Sequence, residues 1–202
     1  MIKTILFDCD GPIIKHTKYF SQRLKEERGI VTDSKDELSF FNNEFLLCEA
    51  GKADLKVELQ KRLSTWGWQG TVEELIDYWV RGEAEVDLEM KDYILKLRER
   101  SIKIFLSTNN EKYRLKYLWE VVGLNKFLDG TMASSELGYL KPQLEFWEQA
   151  SKRISNIQKA EVLVIDDDET AIASAKVFGF NAELYTDLNS IKIKIDKYLN
   201  TV

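Results

Sequence analysis

Histidine is nearly missing from this chain: His16 is the single one in 202 residues, so a histidine-based catalytic triad or zinc site has almost nothing to work with. Cysteine is almost as scarce. Cys9 and Cys48 lie far apart and form no CxxC pair, which argues against a disulfide framework and fits a reducing compartment. No apolar run is long enough to span a bilayer, and the opening residues, one lysine and a short apolar run ending in aspartate, are unlike a secretory signal. Positive charge is not in excess either. With 29 Lys plus Arg against 34 Asp plus Glu and a net charge of −5, there is no general pull toward nucleic acid, and the basic stretch 112–116 carries too few charges to restore one. These absences lead us to expect a soluble cytoplasmic protein with no membrane or nucleic-acid partner. Any anionic ligand must be held locally.

Hydrophobic residues make up 44% of the chain and aromatics 11%, enough to fill a substantial core. Ile2–Phe7, Ile102–Leu106 and Val162–Ile165 are short apolar runs, each followed by polar residues, the pattern of parallel strands buried on both faces. Asn181–Tyr185 is a weaker fourth candidate. Helical spacing lies between them: Met90, Tyr93, Ile94 and Leu97 before the second run, and Leu144, Trp147, Ser151 and Ile154 before the third. The Ala-rich 170–178 stretch follows the third run. Alternating strands and helices predict an α/β fold, a Rossmann-like parallel sheet flanked by helices, with ligands expected outside the carboxyl ends of the strands. The tail 190–199 fits either alternation or helical spacing, and we expect a closing helix.

Residues 15–88 break the alternation, with several helical patterns and no convincing strand, and read as an inserted all-α unit between 1–14 and 89–202. Ser34-Lys35-Asp36-Glu37 reads as a capping box opening a helix with Leu38, Phe41 and Phe45 on one face; Thr71-Val72-Glu73-Glu74 reads as a second, opening Leu75, Ile76, Trp79 and Val80. Asp54 is expected to cap a third. Gly51 and the 66–70 stretch look like turns between helices. Trp79, Trp119 and Trp147 follow helical patterns and are expected in cores, whereas Trp66 and Trp68, near a turn, are the candidates for contacts outside one. His16 is expected at the surface.

Chemistry-bearing residues gather at the strand ends. Asp8 and Asp10 stand two residues apart where the first apolar run stops; alternation puts them on one side, roughly 6–7 Å apart. At an effective dielectric of about 20 they repel by roughly 2–3 kcal/mol, a cost that a cation or a proton held on one carboxylate would relieve. Cys9 between them is expected to face the other way and pack in the core. Ser107-Thr108-Asn109-Asn110 follows the second run, where hydroxyls and free backbone N–H groups could bind an anion. Lys141 precedes Pro142 and a helical pattern. Asp166-Asp167-Asp168 follows the third run, and Asp168 is better placed to cap the next helix than to hold a metal.

In this order and placement the four clusters resemble the haloacid dehalogenase-like (HAD) hydrolase superfamily, in particular its members with a helical cap inserted after the first motif. The motifs run from Asp8 to Asp168 and the resemblance extends over essentially the whole chain. It implies a nucleophilic Asp8, an acid/base Asp10, phosphate-binding Ser107, Thr108 and Lys141, and Mg2+ held by Asp8, the Asp10 backbone carbonyl and Asp167, with Asp166 a direct or water-mediated neighbour. Dehalogenases of the family resemble the pattern only at the first Asp, so Asp10 favours phosphoryl transfer. One departure is Pro12, where the family usually has Thr or Val; it removes a backbone N–H from the first loop.

The resemblance thus implies a Mg2+-dependent phosphatase acting on a small phosphorylated metabolite, a sugar phosphate for example, through an aspartyl-phosphate. A phosphomutase of the same fold, and a non-catalytic relative that binds a phosphorylated ligand or a protein, are the alternatives. Tyr19, Phe20, Glu49 and Lys52 are candidate substrate contacts by their position near the cap boundaries and the Gly51 turn. The sequence carries no signal for an oligomer.

Overall fold

The computed structural model describes residues 1–15, 18–154 and 157–200. His16 lies outside the described residues. Among them are five parallel strands: β1 (Thr4–Phe7), β2 (Lys103–Thr108), β3 (Gly130–Ala133), β4 (Val162–Asp166) and β5 (Asn181–Leu184). They form one sheet in the order β3-β2-β1-β4-β5. The central strand is wholly apolar beyond Thr4 because both of its faces are covered. Ile5 and Phe7 pack with Met90, Ile94 and Leu97 of helix α6 (Leu88–Glu99) and with Ile191, Ile195 and Leu199 of the closing helix, Leu188–Asn200. Leu6 faces the opposite way, toward Phe146 and Trp147 of the helix Leu144–Arg153 and Ala171 and Ala175 of the helix Glu169–Phe178. Each large side chain buried this way contributes about 1.5–3 kcal/mol, which is why the alternation survives on a strand of only four residues.

The register decides where the chemistry goes. Phe7 pairs with Leu106 on one side and Ile165 on the other, so the next residues of the three strands, Asp8, Ser107 and Asp166, emerge side by side one step further along. Asp8 N–H still donates to Ile165 O, 2.8 Å away. Strand order reverses at β1, and that reversal opens a crevice at the carboxyl ends.

Strand β3 was not anticipated. Gly130-Thr131-Met132-Ala133 has no alternating or β-branched pattern, and it pairs on one side only, with Phe105–Thr108. The Asp129 carboxylate accepts the Ile104 N–H (2.9 Å) and so anchors the start of this edge strand.

Among the described residues five helices fall between β1 and α6: α1 (Phe20–Arg28), α2 (Ser34–Asn42), α3 (Glu44–Glu49), α4 (Leu55–Gln60) and α5 (Val72–Gly82). They share a core of their own, which includes Phe20, Leu24, Phe40, Leu59, Leu75 and Trp79. Thr71 and Glu74 form the expected capping box, and Asp54 accepts the Lys56 N–H. The start of α2 differs by one residue. Asp33 caps it, accepting the Lys35 and Asp36 N–H groups, and Ser34 is already helical; aspartate and serine are comparable cap residues, so either position could have begun the helix. The buried face also differs from the expected one: Phe40 points inward and Leu38 is exposed. Trp66 is also corrected: it is 2% exposed, held in this core with its indole N–H on Asp36 Oδ2 at 2.6 Å.

The two chain crossings to this unit run side by side, with Lys15 N–H on Glu85 O and Asp87 N–H on Ile13 O, both 2.8 Å. The helices reach back over the strand ends. Lys112 Nζ lies 2.5 Å from Asp54, Tyr113 Oη donates to the same carboxylate, and Ser134 Oγ donates to Glu49 O (2.6 Å). Gly51 makes the closest approach. At φ +66° it is in the left-handed region, and a Cβ there would sit 2.3 Å from Ser135 O, so glycine alone fits.

Candidate active site

Lys141 is the hub of the crevice. Buried to 4% exposure, its ammonium donates to Asp8 Oδ1 at 2.6 Å and to Asp166 Oδ2 at 2.7 Å. Asp166 is itself fixed, since its other oxygen accepts the Asp168 N–H at 2.9 Å, and Asp8 Oδ1 accepts the Cys9 N–H at 2.7 Å. Asp167 is exposed, yet Asp8, Asp166 and Asp167 each offer a carboxylate oxygen within 4.8 Å of the others. One ammonium neutralises one carboxylate. Burial, and then the neighbouring carboxylates, push Asp8 well above its ordinary range despite Lys141, and burial pushes Asp166 up as well. Burial works against the charge on Lys141 too, but Asp8 and Asp166 hold it above its ordinary value. The cluster is short of positive charge, and its all-oxygen donor set suits a hard divalent cation.

Asp10 has a different partner. Arg114 donates to both of its oxygens, at 2.5 and 2.8 Å, and also to Asn110 Oδ1 (2.7 Å) and Glu83 O (3.0 Å). The repulsion expected between Asp8 and Asp10 is therefore relieved by a separate side-chain cation on each: Lys141 on Asp8, Arg114 on Asp10. Arg114 was not foreseen. It sits four residues after Asn110 on the short helix α7 (Lys112–Lys116), in a stretch that reads as a solvated basic face, and its partner is 104 positions away. The one local signal is its i,i+4 spacing from Asn110.

Ser107 and Thr108 are both buried. Thr108 Oγ1 accepts from Asn110 Nδ2 at 2.7 Å, whereas Ser107 Oγ has no hydrogen-bond partner despite lying beside Asp8 at the strand end. A buried hydroxyl left without a partner is costly, and a bound oxyanion would satisfy it. Asn109 Oδ1 accepts the Lys141 N–H at 2.9 Å and so ties the second motif to the third. In the first loop Gly11 N–H donates to Ile14 O, and the Ile13 and Ile14 N–H groups donate to Cys9 O. Pro12 therefore stands in a turn whose other donors are already spent internally. Cys9 is fully buried in the sheet core, and Asp168 caps its helix through the Thr170 N–H.

Beside Asp10 and Arg114 opens a cavity of about 410 Å³ beneath the inserted helices. Tyr19, Phe20 and Glu49 line it, as their positions near the helical-unit boundaries suggested. Lys52 does not; its ammonium lies 5.5 Å from the centre of the Tyr139 ring. Trp79 also lines the cavity, while Trp147 is buried in the sheet core. Two nearby carboxylates, a lysine and an unsatisfied hydroxyl around a cation-deficient acidic cluster together suit displacement at a dianionic centre.

Comparison with known proteins agrees with this geometry. Residues 2–179 match the family model for haloacid dehalogenase-like hydrolases. A D-ribitol-5-phosphate phosphatase of Bacteroides thetaiotaomicron is 29% identical over 188 residues, which cover 89% of this chain and 90% of that protein. Among solved structures, a HAD family enzyme from Bacteroides thetaiotaomicron, a mutant in complex with magnesium and inorganic phosphate, superposes with TM-score 0.77 at 20% identity, covering 95% of this chain and 99% of that one. A HAD-like family hydrolase from Porphyromonas gingivalis superposes with TM-score 0.78 at 24% identity over the full length of both chains. Structural likeness at these identities establishes the fold.

Proposed function

The chain belongs to the haloacid dehalogenase-like hydrolases, and within that family we propose that it is a Mg2+-dependent phosphatase of small phosphomonoesters working through an aspartyl-phosphate on Asp8. The observation that carries this reading is the buried set Asp8–Lys141–Asp166, with Asp167 within reach of the same point. A cation would be held by Asp8, Asp167, the Asp10 backbone carbonyl and Asp166, directly or through water. Mg2+ bound there supplies the positive charge that lets a phosphate dianion approach a carboxylate.

The protein's own residues do the rest. Lys141 and the Ser107 hydroxyl hold phosphoryl oxygens, with the Thr108 region behind them. Asp8 attacks phosphorus in line, an Asp8–phosphorus bond forms as the ester oxygen–phosphorus bond breaks, and Asp10 delivers its proton to the departing alkoxide. Asp10 then takes a proton from the water that attacks the aspartyl-phosphate; the Asp8 oxygen–phosphorus bond breaks, inorganic phosphate leaves and the carboxylate of Asp8 is restored. Because both Asp10 oxygens are taken by Arg114, proton delivery requires at least one of those bonds to open. The helices of 15–88 serve as a cap that excludes water and selects the alcohol, and the work is assigned to the cytoplasm. The relative acting on ribitol 5-phosphate supports a sugar or sugar-alcohol ester as substrate.

The test is hydrolysis of p-nitrophenyl phosphate with Mg2+, after chelation, and by Asp8→Asn. The reading requires turnover in the first case and its loss in the other two.

A further inference from the structure

The cavity beside Asp10 is acidic and aromatic at once. Phe41, Phe45 and Trp79 form one wall, their ring centres 5.2–5.7 Å apart. Glu37, Glu49 and Glu83 also line it, and its one cation among the described residues, Arg114, is already engaged by Asp10. Two of the three glutamates have partners. Glu83 accepts the Trp79 indole N–H (3.0 Å) and the Phe20 N–H (3.1 Å), and Glu37 accepts the Thr32 hydroxyl. The Glu49 carboxyl accepts no hydrogen bond among the described residues; only its backbone oxygen is used, by Ser134. Gly51, packed against Ser135, and the Ser134 bond hold the end of α3 against the sheet, so Glu49 is presented to the cavity from a fixed backbone.

We propose that Glu49 is a specificity-determining residue that accepts a hydrogen bond from the leaving group, and that this cavity selects alcohols bearing hydroxyl or ammonium donors and rejects those carrying a second anion. This rests on the phosphatase reading above and deepens it. The volume accommodates a short polyhydroxylated chain, whose carbons lie on the aromatic wall while a hydroxyl or ammonium reaches Glu49. Burial already pushes Glu49 up to about 8 and Glu83 above its ordinary range. A cavity that resists the charge of its own carboxylates disfavours a further carboxylate or phosphate and accepts a neutral or cationic group.

Four substrates test it: ribitol 5-phosphate, its 1-amino-1-deoxy analogue, ribonate 5-phosphate and p-nitrophenyl phosphate as a reference that offers no donor. In the wild-type protein kcat/KM for the first two should exceed that for ribonate 5-phosphate by about tenfold or more, and their ratio identifies whether hydroxyl or ammonium is preferred. Glu49→Leu should lower the ribitol-to-aryl ratio of kcat/KM about tenfold to a hundredfold, chiefly through KM, the loss expected when a buried hydrogen bond goes and its donor is left unpaired. Glu49→Gln keeps an acceptor and is neutral at every pH, so it should retain most of the ribitol preference, and it should gain on ribonate 5-phosphate only above about pH 8, where the wild-type carboxyl is charged. Circular dichroism establishes that each variant is folded, and the wild-type ratios decide the matter even if one is not. Aryl hydrolysis with equal turnover of the ribitol and ribonate esters, or an unchanged ribitol-to-aryl ratio in folded Glu49→Leu, overturns the inference and leaves the phosphatase reading standing. No hydrolysis of any of the four esters overturns both.

Discussion

Arg114 grips both carboxylate oxygens of Asp10 from a position 104 residues further along the chain, and the same guanidinium donates to Glu83 O at the end of α5. The proposed acid/base is thereby tied to the inserted helices as well as to the sheet. Arg114→Met should lower kcat for a poor leaving group, an alkyl ester, about tenfold or more, while an aryl ester whose alcohol leaves without a proton is affected less. Steady-state kinetics on the two esters checks this; equal losses on both would assign Arg114 to folding alone. Lysine cannot reproduce the two-pronged contact, so Arg114→Lys should restore little.

Removing Lys141 leaves Asp8 and Asp166 buried with no side-chain cation between them. Lys141→Met is expected to destabilise the protein by about 3–5 kcal/mol, measured by denaturant unfolding without metal. Added Mg2+ should recover part of that loss, because it supplies the missing charge.

Mg2+ itself should stabilise the wild-type fold, by about 2.7 kcal/mol at a hundred times its dissociation constant, and Asp167→Asn should weaken the effect. Burial raises Asp8 and Asp166, so protons compete with the cation in mild acid. Thermal shifts at several Mg2+ concentrations should therefore give weaker apparent binding as pH falls toward 5. A pH-independent affinity would place the ion elsewhere.

Glu49 carries a stability signature independent of any substrate. Its carboxyl is pushed up to about 8 against an ordinary value of 4.5, so the folded state holds a proton that the unfolded chain has already released. The penalty is absent below about pH 4.5, grows as pH rises, and is complete above about pH 8. Glu49→Gln, neutral throughout, should gain on the wild type across that window, by about 4 kcal/mol at most at pH 8. Unfolding curves at pH 5 and pH 8 measure the difference; a gain that does not grow with pH contradicts it.

What the sequence made legible follows from the physics of each element. β1, β2 and β4 are buried on both faces, so their apolar runs were explicit, and the polar residues that end them had to fall in the crevice. Asp8, Ser107 and Asp166 were therefore readable as neighbours. Lys141 was readable only through the order of the motifs, since an isolated lysine carries no signal that it is 4% exposed. β3 was hidden because an edge strand of four residues needs no pattern, and Arg114 because a contact spanning 104 positions leaves no period. Trp66 was misplaced for a related reason: it follows the last periodic helix position, yet tertiary packing encloses it between Phe20 and Phe40.

The central claim is that Asp8 becomes phosphorylated while Lys141 and a cation offset the charge. Rapid acid quench of the Mg2+-loaded protein during turnover, followed by borohydride reduction and mass spectrometry of the N-terminal peptide, tests it directly. The account predicts reduction at Asp8 that depends on both substrate and Mg2+. Turnover with Asp8 unmodified, or modification confined to Asp10, would contradict it.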